Sequence, residues 1–457
     1  MSKVADDNNG NVLRKAGLLE RFHITRVAYG LDTGVIVSAK YTHPTGHLDK
    51  ETLFPALRVL VQKDRALSVQ IRDSSSKNPL FVGLDSVDLG RVVHFHSETS
   101  EHLQSVYESY LVKPFEEDTK DPLWRLSVLS DNNVLFMFHH AVGDGQSGLA
   151  FHNQLLSTLN AFSGDGSPTG DTSPIVDIPS SLVFAPPVEQ KMDMSVGLPV
   201  LLRAVRDTFV PVKFRKAHQA WSGKDVTKDK SLTTHVRLLE LSPADAEALL
   251  RICRKHKTTL TAFFHTLGVV VLGDLIRTKV DPSCKFVATD LAISLRRFTA
   301  TPSDVICDEV SGWSMIQRLG SKSASTQADD KNVQSVVDDF PWERARKFAS
   351  ETQKNLPQIA QMAGCLKFLF GDFEGFYNRK LNTKRASAFS LSNLGRFPSP
   401  SPPDSLAVNA DKSTQLKDSG NGSTPQGERW HIDSMFFTLC DAVVGGAMKL
   451  CVSTRVP

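Results

Sequence analysis

The sequence predicts an α/β (α+β) protein folded as two lobes, and three features carry that prediction. Its 457 residues, 40% of them hydrophobic, are more than one ordinary hydrophobic core organises but ample for two domains. Strand-like and helix-like segments alternate along the chain. One run, Val134-Leu135-Phe136-Met137-Phe138, is wholly apolar, as expected of a central strand covered on both faces.

Taken in order, Val12, Leu13, Ala16, Leu19 and Phe22 recur at helical spacing with Arg14, Lys15 and Arg21 between them. A first helix over 12–22 is expected, packed on the body of the protein or resting on a membrane surface. Residues 34–41 read as a buried strand, and 48–63 as an amphipathic helix with Leu53, Leu57 and Leu60 on one side. Strands are expected at 67–72, 92–96 and 123–129, and a helix at 100–111. After the apolar run comes His139-His140-Ala141-Val142-Gly143-Asp144-Gly145; from Gln146 an apolar stripe of Leu149, Leu155, Leu156, Leu159 and Phe162 predicts a helix. The Gly/Ser/Asp/Pro-rich stretch after Phe162 marks a crossover, so the first lobe is placed at 1–162, the linker at 163–232 and the second lobe at 233–457. In the second lobe a strand is expected at 235–241. Ser242-Pro243 opens a helix, since Ser caps well and Pro suits the first helical position. Another helix begins at Thr259 or Thr261, and a strand at 286–293 leads into Ser294-Leu295-Arg296-Arg297. Residues 399–428, almost free of large apolar side chains, are expected to form a disordered insertion.

Composition excludes several classes. Charge is nearly balanced, 53 Lys+Arg against 50 Asp+Glu, with no basic run of the kind that binds nucleic acid. The six cysteines (Cys253, Cys284, Cys307, Cys365, Cys440, Cys451) form no C-x-x-C pair and no Cys/His alternation, so reduced thiols and no zinc site are expected. The N-terminus lacks a signal-peptide core, and no stretch approaches the ~20 apolar residues that cross a bilayer. The expected location is cytoplasmic, with the first segment able to touch an internal membrane.

The chemistry centres on His140. A histidine at the end of a buried strand, facing a crevice between lobes, is half-shielded yet able to reach a ligand. An imidazole titrating near ~6.5 is largely neutral at cytosolic pH and can accept a proton from an attacking hydroxyl. Asp144 has two readings, a cap for the following helix or a partner for a distant Arg that holds the histidine turn in shape. Gly143 and Gly145 permit positive φ or close approach of a ligand to the backbone.

The motif His140-x-x-x-Asp144-Gly145 after a buried strand resembles the signature of chloramphenicol-acetyltransferase-like acyltransferases. Four separated segments resemble, more narrowly, the fungal alcohol acetyltransferase family: Leu19-Glu20-Arg21-Phe22 with Gly34-Val35-Ile36-Val37, the histidine motif, Ile293-Ser294-Leu295-Arg296-Arg297, and Ser390-Leu391-Ser392-Asn393-Leu394-Gly395. The resemblance implies two similar lobes with mixed sheets flanked by helices and a substrate tunnel at their interface. It implies a monomer without bound cofactor or metal, acetyl-CoA as co-substrate, and an alcohol acceptor, either a small alcohol or a hydroxylated secondary metabolite. His140 then matches the family's base, His139 the residue before it, and Asp144 the structural carboxylate, with Arg296 or Arg297 its partner. The Ser390–Gly395 segment reads either as a turn or as tunnel wall, with Ser392 or Asn393 donating to the oxyanion of a tetrahedral intermediate. The Asp-Phe-Gly-Trp-Gly motif of the plant branch is absent; Gly371-Asp372-Phe373-Glu374-Gly375 only echoes it. Relatives continue past a strand like that expected near the end, so an open sheet edge is anticipated there.

Three rivals compete. His94-Phe95-His96-Ser97-Glu98 places two imidazoles and a carboxylate on one strand face, which a metal-dependent hydrolase would use, supplemented by His139, His140 and Asp144. A non-catalytic, condensation-like binding module is the second. A cysteine acyl-enzyme is the third, disfavoured because no cysteine stands beside a histidine or in a nucleophile turn.

Overall fold

The computed structural model describes residues 11–117, 119–163, 171–198, 200, 202, 216–227, 234–320, 339–397, 429–440 and 445–455. The expected insertion at 399–428 and parts of the expected crossover at 163–232 lie outside them.

Two mixed sheets dominate. The first has the order β13(His431–Leu439)-β2(Val35–Thr42)-β8(Asn133–Phe138)-β7(Trp124–Val128)-β6(Val93–Phe95), antiparallel except for β6 and β7. The second has the order β11(Val310–Arg318)-β10(Phe286–Ser294)-β12(Ser387–Phe397)-β14(Gly446–Arg455), with β10, β12 and β14 parallel. Smaller ladders join β1(Val12–Lys15), β4(Leu80–Gly83) and β3(Val69–Arg72), and β5(Ser86–Asp88) with β9(Ile175–Asp177). The strand β13, from late in the chain, thus completes the sheet built by early residues.

The apolar run does what its composition dictates. All six residues of β8 are buried, at the middle of the five-strand sheet. The pleat sends alternate side chains to opposite faces. Phe136 stacks on Phe151 of the helix α5 (Gly145–Ser163), ring centroids 3.8 Å apart and 4° from parallel. On β2, Val37 meets the same helix at Gly148, whereas Ser38 accepts from the Tyr107 hydroxyl at 2.6 Å on the other face. Two covered faces need apolar side chains on both, each worth roughly 1.5–3 kcal/mol when fully buried.

In the second lobe Ser242 caps the helix Pro243–Lys255 by accepting from Asp245 N at 3.1 Å, and Thr259 caps the helix Leu260–Lys279. That second helix has 20 residues and is long and apolar enough to cross a membrane by length and composition, which the sequence reading missed. Here its buried face, including Val269, Leu272 and Ile276, packs with Phe389 of β12 and Phe348 of the helix Trp342–Met362.

Three local expectations are corrected. Residues 12–22 are not one helix: β1 pairs with β4, Gly17 breaks the run, and the helix α1 (Leu18–Ala28) starts afterwards, with the Glu20 carboxylate accepting from Gly17 N at 2.5 Å. Residues 235–241 join no sheet among the described residues; Val236 is buried and donates its N–H to Glu108 at 2.8 Å, while Leu239 is 85% exposed. The Ser/Asn/Gly-rich 390–395 is not a turn but lies within β12, with a bulge between Asn393 and Gly395.

Candidate active site

At the end of β8 the chain turns where the two lobes meet. His139 N donates to the Leu123 carbonyl at 2.9 Å, and Val142 N to the His139 carbonyl at 3.0 Å, closing a tight turn. The two imidazoles diverge. His139 Nδ1 accepts from Ala141 N at 2.9 Å beside the Phe115 ring, so it is spent on the turn itself. Burial pushes its pKa down to about 3. His140, 7% exposed, stacks instead on His23 of α1, ring centroids 3.8 Å apart and 8° from parallel.

Asp144 fulfils both of its readings. Its Oδ1 accepts from Ser147 N at 2.9 Å, the bond of a helix cap at the start of α5. The same carboxylate meets Arg296, Nη2 to Oδ1 at 3.1 Å and Nε to Oδ2 at 3.5 Å, while Arg297 is exposed. Arg296 therefore ties the second lobe to the histidine turn, and it further donates to the carbonyls of Pro302, Val305 and Cys307. Glu309 N also donates to Asp144 Oδ2 at 3.3 Å. The glycines serve protein packing, not positive φ: a Cβ on Gly145 would lie 2.4 Å from Leu394 Cδ2, and one on Gly143 would lie 2.9 Å from Ser147 Cβ. Gln146 Nε2 donates to the Leu394 carbonyl at 2.7 Å, so β12 is brought onto the histidine motif.

Of the two oxyanion candidates on β12, Asn393 is already engaged. Its Nδ2 donates to Thr261 Oγ1 at 3.0 Å and its Oδ1 accepts from Gly395 N at 2.8 Å. Ser392 is half-buried on the adjacent residue, facing the other way by the pleat.

Residues that sequence reasoning missed complete the site. Asp308, fully buried in the segment leading into β11, lies with Oδ1 3.9 Å from His140 Nδ1 and Oδ2 3.5 Å from His23 Nε2. Burial pushes its carboxyl well above the usual range, with Asp144, Glu20 and Glu309 adding to the effect and Arg296 opposing it. Burial lowers the pKa of His140, against opposition from the Asp32 carboxylate and its own backbone carbonyl, so the ring is neutral near pH 7. The signal for His23 was its place directly after Leu19-Glu20-Arg21-Phe22. For Asp308-Glu309 it was a pair of carboxylates among apolar residues.

The three groups each bring one ligating atom to within 4.8 Å of the others. Imidazole lone pairs lie in the ring plane, and two parallel stacked rings cannot both aim at one ion unless one turns. His94 and His96 join no such group among the described residues: His94 is exposed, and His96 Nε2 meets the Tyr110 hydroxyl at 3.3 Å. Their pattern is that of polar residues on a sheet-edge strand. Cys307 is buried beside Arg296, and burial pushes its thiol pKa up, which withholds the thiolate a nucleophile needs. A cavity of about 340 Å³ opens beside α1, lined by Arg21, Lys77, Lys367 and Phe370 among others; His140 is not among its lining residues.

Two lobes of mixed sheet, meeting at a histidine-bearing turn that an inter-lobe carboxylate–guanidinium pair holds, make this chain an acyltransferase. It belongs to the alcohol acetyltransferase family, whose model matches residues 94–409, more than half of the chain. The probable alcohol acetyltransferase FCK4 of Fusarium pseudograminearum is 24% identical over 417 residues, 85% of this chain and 82% of that protein. The probable alcohol acetyltransferase crmB of Aspergillus fumigatus is 23% identical over 367 residues, 76% of this chain and 75% of that protein. The fold is shared with the TRI3 trichothecene 15-O-acetyltransferase of Fusarium sporotrichioides (TM-score 0.62, 11% identity, covering 97% of this chain and 88% of that one). It is also shared with the condensation domain of the monacolin K polyketide synthase MokA (TM-score 0.51, 11% identity, 98% and 90% covered).

Proposed function

We propose that this acyltransferase moves the acetyl group of acetyl-CoA to the hydroxyl of an alcohol, with His140 as general base. The observation that carries the reading is a neutral, buried imidazole held at the junction of two lobes by the Asp144–Arg296 pair. His140 takes the hydroxyl proton as the oxygen forms a bond to the thioester carbonyl carbon. The tetrahedral intermediate then collapses with loss of the carbon–sulfur bond, and the proton passes from the imidazolium to the CoA sulfur. Transfer is direct, since the Cys307 thiol stays protonated. Ser392 is the oxyanion donor of choice, because Asn393 is committed elsewhere. Asp144 is structural, as its bonds to Ser147 and Arg296 require.

The test is release of free CoA by the purified chain with acetyl-CoA and a panel of small and large alcohols. His140→Ala should fold with a wild-type melting curve and lose about 10²–10⁴ in turnover. Near-normal thiol release by that variant would remove His140 from the mechanism.

A further inference from the structure

The base does not stand alone. His140 Nδ1, His23 Nδ1 and both oxygens of Asp308 are buried without a hydrogen-bond partner, a concentration of unsatisfied polar atoms that a fold tolerates where function needs it. One carboxyl group faces two rings, and the rings are stacked. We infer that Asp308 and His23 are positioning residues for His140, Asp308 holding the Nδ1 edge of the ring and His23 holding its face, so that the imidazolium formed during transfer is stabilised where it arises. The inference rests on His140 being the base.

At rest the contacts are loose. The 3.9 Å and 3.5 Å separations exceed the 2.7–3.2 Å of a full N–H···O bond. Burial favours the neutral Asp308 carboxyl at rest; once His140 takes a proton on Nε2, its Nδ1–H carries positive charge, which pulls that carboxyl towards its ionised form in a site shielded from water. The stacked His23 ring presents its electron-rich face to that charge. Asp308 can hold position because its neighbours are fixed. Glu309 binds Lys191 at 2.7 Å and accepts from Thr299 and Thr301, and the Cys307 carbonyl accepts from Arg296. Asp144 cannot play this part, being consumed by Arg296 and the cap of α5.

Further charged groups surround the three. His140 also faces Asp32, Arg26 and Asp144. His23 faces Arg26, His139 and Lys449, and Asp308 faces Asp144, Glu20, Glu309 and Arg296.

The test compares Asp308→Asn, His23→Phe and His23→Ala in the full chain, measuring kcat, KM and the pH profile of thiol release with acetyl-CoA and an accepted alcohol. Asp308→Asn should lower kcat by about 10²-fold with KM unchanged, as a displaced base does. An amide, unlike the carboxyl, cannot ionise beside the charged ring, so the acid limb of kcat should also move down by about half a pH unit. His23→Phe keeps a ring on the face of His140 and should retain kcat within about threefold, whereas His23→Ala should lose at least about tenfold. Because His23 and Asp308 sit on different lobes, a folding failure in one variant leaves the other comparison standing. Asp308→Asn within twofold of wild type with an unmoved acid limb overturns the inference, as do losses confined to KM, or His23→Phe and His23→Ala behaving alike. Stoichiometric zinc in the wild-type protein that Asp308→Asn abolishes would replace it with a metal site. If His140→Ala is itself active, the base assignment fails; if His140→Ala is inactive while the Asp308 and His23 variants are normal, only this inference fails.

Discussion

Replacing Arg296 with Ala tests the joint between the lobes. The guanidinium donates to Asp144 at 3.1 and 3.5 Å, to Ser147 Oγ at 3.1 Å, and to the carbonyls of Pro302, Val305 and Cys307 at 3.1, 2.8 and 3.3 Å. Its removal leaves the Asp144 carboxylate, 2% exposed, without its counter-charge, and strips partners from three carbonyls. Breaking a buried pair in this way costs about 3–5 kcal/mol, a large part of the 5–15 kcal/mol that holds a typical domain together. At roughly 2–4 °C per kcal/mol for a domain of lobe size, the melting temperature should fall by on the order of 10 °C. Arg296→Lys keeps the charge but not the fork, and should fall between wild type and Arg296→Ala. Arg297→Ala, at the exposed neighbour, is the control and should melt like wild type. Differential scanning fluorimetry and urea unfolding of the purified variants read all three. Equal melting of Arg296→Ala and Arg297→Ala would refute the claim that Arg296 is the inter-lobe tie.

Three further outcomes are expected. Gly145→Ala places a Cβ 2.4 Å from Leu394 Cδ2 and should cost about 1–3 kcal/mol by overpacking, with Leu394→Ala in the same chain restoring part of the loss in a double-mutant cycle. Turnover should be flat through neutral pH and decline on the acid side with a midpoint below the usual 6.5 of histidine, because burial lowers the pKa of His140 and only its neutral form accepts a proton; a midpoint at or above 6.5 in kcat would contradict this. The fully buried His152, whose pKa burial lowers to about 4, meets the Tyr41 hydroxyl through Nδ1 and the Val37 carbonyl through Nε2. Its folded pKa lies below the unfolded value, so the unfolded chain binds more protons between about pH 6.5 and 4, and stability is lost as pH falls through that window. His152→Gln should flatten the acid loss in urea titrations; an unchanged slope would show that other groups govern it.

How far these features could be read from residues alone depends on how local their causes are. The apolar run 134–138, the helix after Gln146 and the caps at Ser242 and Thr259 follow from periodicity and capping chemistry, and the structure keeps them. The turn at His139-His140 was legible for the same reason, as the point where an apolar strand stops. Arg296 could not be chosen over Arg297 because the choice depends on which side of a short helix faces Asp144. His23 and Asp308 were invisible as a pair, since only tertiary packing brings α1 and the start of β11 to one ring. The strand at 390–395 could not be told from a turn, because Ser, Asn and Gly favour turns locally, while the parallel ladders of β10 and β14 impose a strand on them. The segment 12–22 was misjudged because its apolar spacing suits a helix, whereas Gly17 and the ladder to β4 divide it.

The pairing of β13 with β2 also bears on how the chain acquires its fold. Synthesis delivers β2, β7 and β8 early, yet the strand that closes their sheet emerges only after β10, β11 and β12 have been made. Until then β2 offers a bare row of amide and carbonyl groups to any extended neighbour, a hazard for a nascent protein in a crowded cell. The sheet that ends in the histidine turn therefore reaches its finished surroundings late, and the two lobes stand or fall together.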